Sequence, residues 1–173
     1  MDADCERTPS GRKSRARAPQ EDPRKTALEA RQRVFGVSPA DAPDPRVATV
    51  LGRLNLDGTI TDSMYRAGLQ YLDLYLAAMR AIKAPMSRGG GGASHDGDML
   101  SDDYVVWAIK AVAHYEVMKA ALEDAEQGGG EWCGQAVGAV VLENVVMPVW
   151  WTPELIMGLG ILAKKMGIDR ATG

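Results

Sequence analysis

The stretch from Gly58 to Ala84, GTITDSMYRAGLQYLDLYLAAMRAIKA, limits the fold more than any other part of the chain. It predicts a long helix over residues 62–84. Thr61 suits the N-cap, where its hydroxyl can accept from an orphan backbone N–H of the first turn. Pro85 ends the stretch, because the residue before a proline is pushed out of the α region. Asp62, Arg66, Asp73 and Arg80 form one narrow polar face at 3.6 residues per turn. Opposite them lie Met64, Gly68, Tyr71, Tyr75, Ala78 and Ile82, flanked by Leu72, Leu76 and Met79. So wide an apolar arc suits a helix packed on several neighbours, with Tyr71 near the centre of the buried face.

A second long helix is expected from Ser101 to Gln127. Asp102 and Asp103 sit in its first turn, where the helix dipole favours acids. Tyr104, Ala108, Ala111, Tyr115, Met118 and Leu122 form a seam for a partner helix, and Val105, Ile109 and Val112 widen that face. Gly128-Gly129-Gly130 closes the helix. Residues 131–143, EWCGQAVGAVVLE, read as a third core helix, with Trp132 among its apolar positions and Cys133 as a small buried hydrophobe. The last helix starts at Thr152-Pro153-Glu154, taken as N-cap, proline and acid. It runs with Leu155, Leu159, Leu162 and Met166 inward and Glu154, Met157 and Gly158 outward. Lys164 and Lys165 occupy its last turn, and Gly167 follows.

Shorter helices are expected over 24–35, closed by Gly36, and over 46–54, where Val47, Val50, Leu51 and Leu54 make one apolar edge. Residues 37–45 hold three prolines and act as a spacer. These signals imply an all-α compact helical bundle over 46–168, preceded by the short helix and spacer at 24–45. Residues 1–23 have almost no apolar side chains and are expected to form a disordered basic tail. The Gly-rich stretch 86–100 reads as a linker or surface loop.

The charge is uneven. Residues 1–50 carry 10 Lys/Arg against 8 Asp/Glu, whereas residues 51–173 carry 10 against 15. An acidic body argues against a broad phosphate-binding face. Nucleic-acid contact, if made, falls to Arg12, Lys13, Arg15, Arg17, Arg24 and Lys25. The helix pair 46–54 and 62–84 reads either as core packing or as a helix-turn-helix, although its connection is longer than the ~3–4-residue turn of the DNA-binding motif. Trp150-Trp151 reads either as an exposed anchor for a partner or as a core corner.

No catalytic pair, phosphate loop or metal-ligand spacing stands out, so a non-enzymatic chain with no catalytic residues, metal or cofactor is expected. His95, Asp96, Asp98 and Asp102 lack the Gly and the closing Glu of a calcium loop. Two cysteines, Cys5 and Cys133, are too few for a disulfide framework, which points to a reduced, cytoplasmic setting. No apolar run approaches the ~18 residues of a membrane span, and the polar N-terminus does not read as a signal peptide.

Several short motifs carry a family resemblance. They are Leu54–Gly68, LNLDGTITDSMYRAG; Tyr115-Glu116; Val140-Val141-Leu142-Glu143; the Trp-Pro region; and Leu159-x-x-Leu162-Ala163 with Gly167. Over about residues 47–168 the chain resembles the helical domain of alphaproteobacterial gene-transfer-agent activators and related small prophage proteins. It departs from them at Thr152-Pro153-Glu154, where Arg and Ser are usual. The resemblance implies a transcription-linked role with DNA or RNA-polymerase contact. A prophage-type DNA-associated regulator is therefore the first expectation. A self-associating assembly or packaging adaptor, such as a small terminase-like subunit, is the alternative.

Overall fold

In the computed structural model the described residues are 24–83, 102–129 and 131–168. They are helical, with no strand among them. The contacts divide the chain between Val47 and Ala48. The tail 1–23, with Arg12, Lys13, Arg15 and Arg17, lies outside the described residues, as does the Gly-rich stretch at 86–100.

The N-terminal unit contains α1 (Lys25–Phe35). Gly36 closes it at φ 66°, a left-handed conformation that glycine adopts without a Cβ penalty, and its N–H donates to Gln32 O. Arg31 Nη1 donates to Ala42 O at 3.1 Å, tying the proline-rich spacer back to α1. Asp44 pairs with Arg46 at 2.8 Å, and the hydrogen bonds from Arg46 hold the Asp44 carboxyl below its usual range.

The larger unit begins as the chain leaves a 3₁₀ turn over Pro45–Ala48 and enters α2 (Val50–Leu56). The expected single helix over 46–54 is thus split at Thr49, which is extended and accepts from Gly52 N–H at 3.0 Å as the N-cap of α2. Asn144, at φ 55°, reaches across the sequence so that its Oδ1 accepts from Val50 N–H at 2.7 Å. After a turn held by the buried Asn55, whose Nδ2 donates to Asp62 Oδ1 at 2.9 Å, the long helix α3 (Asp62–Lys83) begins. Thr61 caps it, accepting from Met64 N–H at 3.3 Å.

α4 (Asp102–Gln127) packs on α3. Tyr115 meets Tyr71 and Tyr75 with ring centroids 5.7 and 5.6 Å apart. The expected third helix is two pieces, α5 (Cys133–Val137) and a π turn over Gly138–Leu142. Glu143 N–H donates to Gly138 O there, which widens the winding. α6 (Thr152–Lys165) packs on α3, α4 and α5, with Leu155, Leu159, Leu162 and Ala163 fully buried.

Two details of α6 correct the sequence reading. A 3₁₀ turn over Val149–Trp151 runs straight into it, so Thr152 is already helical and makes no cap; Trp151 takes that position. Gly158 is buried, not outward. A Cβ there would lie 2.7 Å from Val137 Cγ2 and 3.0 Å from Cys133 O, so the absence of a side chain lets α5 and α6 approach. Gly158→Ala should destabilise the fold by roughly 1–2 kcal/mol, overpacking outweighing the helix propensity gained. Gly160→Ala, whose Cβ would meet only Met64 Cε at 3.7 Å, should be neutral or stabilising in the same thermal melts. Equal effects at the two glycines would refute the close-approach account.

Apolar arcs are also wider than the neighbours that cover them. Leu76 and Ile82 of α3, and Val105 and Ile109 of α4, were expected in the packed faces; all four are exposed, Ile109 at 65%.

Candidate interaction surface

Three tryptophans from two parts of the chain meet beside the start of α6. Trp132 precedes α5, and Trp150-Trp151 close the 3₁₀ turn before α6. Trp132 stacks on Trp151 with centroids 6.1 Å apart and planes 20° from parallel. Trp150 stands at 89° to Trp151, 5.4 Å away. Trp151 is half-buried and packs against the core. It therefore serves as a base for the other two rings, which face solvent: Trp150 is 69% exposed and Trp132 43%.

The local backbone explains the division. Pro148 is extended and breaks regular structure, and the 3₁₀ turn that follows sends adjacent residues in different directions. The two tryptophans expected to act alike are thus divided, Trp151 inward and Trp150 outward. Val146 and Val149 on the same connection are 71% and 87% exposed. Trp151 Nε1 is enclosed and meets no acceptor among the described residues, and Glu154 Oε2, in the first turn of α6, is likewise enclosed without a donor.

Trp132 was placed in a core helix by the sequence reading. The glycines that stop α4 immediately before it were the available signal: a residue next to such a stop belongs to the turn. That corner is held by Glu126, whose Oε1 accepts from Gly134 N–H at 2.9 Å, and by the Cys133 thiol facing Leu122 O at 3.6 Å.

The basic candidates stand apart from this surface in sequence. Arg24 and Lys25 open α1 and are exposed, and Arg33 lies in its last turn.

A cleft of about 270 Å³ lies between α3, α4 and α5, lined by Tyr71, Tyr115, Lys119, Glu123, Glu126 and Gln135 among others. Burial, then the hydrogen bond with Tyr115, raises the Tyr71 phenol well above the usual tyrosine range, so it stays neutral. Lys119 pairs with Glu123 at 3.4 Å, and that bond raises its ammonium. Burial also pushes the Cys133 thiol up, which leaves it protonated and a poor nucleophile at neutral pH. Among the described residues no three His, Cys, Asp or Glu side chains are grouped to hold a metal ion. His95, Asp96 and Asp98 lie outside those residues. No helix of the described residues is long and apolar enough to cross a membrane.

These features define a small helical bundle with an aromatic surface presented from one corner. No protein-family model, curated protein or solved structure matches the chain.

Proposed function

We propose that this chain is a non-enzymatic regulatory protein of the prophage type that acts by contacting another protein through Trp132 and Trp150. The observation that carries this reading is the exposed Trp150 ring, held edge-on against a stacked Trp151–Trp132 pair. Exposed tryptophans on a rigid base are costly to leave in water and are enriched among binding hot spots. The acidic body favours a protein partner over a polyanion. The resemblance to gene-transfer-agent activators supports the transcription machinery as the setting, with RNA polymerase as the first partner to test.

Direct nucleic-acid contact through the basic N-terminal arm is the second reading, supported by exposed Arg24 and Lys25 and, earlier in the sequence, by Arg12, Lys13, Arg15 and Arg17. Assembly or packaging as an adaptor is the third.

The test is binding of the intact chain to purified bacterial RNA polymerase holoenzyme and, separately, to duplex DNA between ~50 and ~200 mM salt. The expected result is polymerase binding that weakens at least tenfold in Trp150→Ser, with the circular dichroism of the variant unchanged; a tenfold loss is about 1.4 kcal/mol. DNA binding that falls steeply with salt, survives Trp150→Ser and disappears on deletion of residues 1–23 would replace this reading with the second. Binding to neither would leave the adaptor reading.

A further inference from the structure

We propose that two copies of this chain pair through the N-terminal half of α4, antiparallel about a two-fold axis near Val106. This surface is separate from the tryptophan corner. Trp132 follows the C-terminal end of α4, whereas Val106 lies near its start, about 30 Å away along the helix at ~1.5 Å per residue.

The helix has two apolar faces. Ala111 and Leu122 are buried, with Tyr115 and Met118 packed on the core beside them. Away from that face Val105, Val106 and Ile109 are 40, 49 and 65% exposed, while Trp107, 40% exposed, stands at the edge of the packed face with its ring 5.4 Å from Tyr104. A cluster of large apolar side chains is thus left in water within about one and a half turns at one end of one helix. A face of that kind stands out against the scattered single apolar residues of ordinary surfaces.

Charge points to a second copy as the occupant. Asp102 and Asp103 lie on one side of Val106 in sequence and Lys110 on the other, all exposed. An isologous contact requires that residue i meet residue j while j meets i. Antiparallel pairing about Val106 does this: Lys110 of each copy lies beside Asp102 and Asp103 of the other. The same register puts Val106 at the centre and Ile109 of each copy about 3 Å along the axis from Val105 of the other. Parallel pairing would instead set the acids of one copy beside the acids of the other. Asp102 and Asp103 in the first turn also favour the helix dipole, so they serve α4 whether or not a copy is bound.

Three outward apolar side chains make a smaller contact than the roughly 800 Å² per partner of a standard interface. The dimer should therefore be weak, with a dissociation constant of about 10–100 µM. Sedimentation equilibrium of the full chain from ~5 to ~500 µM reads it directly. The expected result is a reversible monomer–dimer equilibrium, lost in Ile109→Asp and weakened at least tenfold in Lys110→Glu and in Asp103→Lys. An equimolar mixture of Lys110→Glu and Asp103→Lys should regain dimer, because only the mixed pair brings opposite charges together on both sides of the axis. Recovery in the mixture also shows that each variant is folded. A chain that stays monomeric to ~500 µM would overturn the proposal. So would a dimer indifferent to Ile109→Asp, or two charge variants that fail to rescue each other while retaining the wild-type helical spectrum.

Discussion

Leu159→Ala is expected to destabilise the protein by roughly 2–5 kcal/mol, toward the upper end of that range. Leu159 is 0% exposed and lies in the middle of α6, which packs on α3, α4 and α5 at once. Truncating it removes buried methylene and methyl groups and leaves a cavity whose walls belong to different helices. Those walls cannot close without moving a whole helix, and the cost rises with the volume left behind. Gly68 on α3 faces the same side chain: a Cβ built there would sit 3.4 Å from Leu159 Cδ2. The leucine thus packs against α3 at Gly68, where Leu51 comes closer still at 2.7 Å, and losing it removes that contact. Chemical denaturation of wild type and variant measures the effect. Ile82→Ala is the control, since Ile82 is 56% exposed and its truncation should change stability by less than ~0.5 kcal/mol. Comparable losses at the two positions would show that α6 is not the centre of the core.

That contrast also marks what was legible in the sequence. Helix ends were legible where one residue satisfies a local need: Thr61 caps α3, and Gly36 and Gly167, at φ 66° and 71°, close α1 and α6. Backbone groups at helix termini demand partners within a few residues, so the signal is local. The inward seam of α4 was legible for the same reason, because helical spacing is local geometry. What faces a helix is not. Val105 and Ile109 have the composition of a packed face and yet lie in water, since periodicity gives a direction around the axis and no account of what stands there. The start of α6 failed differently. Thr152-Pro153-Glu154 has the composition of a cap, but the 3₁₀ turn over Val149–Trp151 delivers the chain already wound, so the threonine is not needed as one.

At the candidate site the tryptophan pair was legible as a pair, and the opposite fates of its members were not. Those depend on Trp132, which the fold brings to Trp151 although the two are far apart in sequence. The contact made by Asn144 is similar: its Oδ1 accepts from Val50 N–H, 94 residues away in sequence. Long-range partners of this kind follow from packing between helices, as at Gly158, where the missing side chain lets α5 and α6 approach.

Tyr71→Ala should cost roughly 3–5 kcal/mol, the range for removing a buried aromatic ring, and lower the melting temperature by about 10 °C. Tyr71 is 4% exposed and belongs to the core cluster, with its ring against Tyr115 on α4. The substitution therefore removes both core volume and an aromatic contact between the two long helices. Tyr71→Phe separates these from the hydroxyl. It keeps the ring and should cost only ~0.5–1.5 kcal/mol, the net worth of a hydrogen bond. The alkaline limb of stability carries an independent signature of the same burial. Burial raises the Tyr71 phenol above the value of an unfolded tyrosine, about 10. The neutral form is the one the fold favours. Its contribution is fully present below pH ~10 and is lost as pH rises from there toward the raised folded value. In an absorbance titration the Tyr71 phenol should stay un-ionised in the folded protein above pH ~10 and ionise only as the fold opens. In Tyr71→Phe that late step should vanish, and stability above pH ~10 should fall less steeply than in wild type. Ionisation of Tyr71 near pH ~10 in the folded protein, or a loss below ~0.5 kcal/mol in Tyr71→Ala, would place Tyr71 at the surface and break the link between α3 and α4 on which the bundle rests.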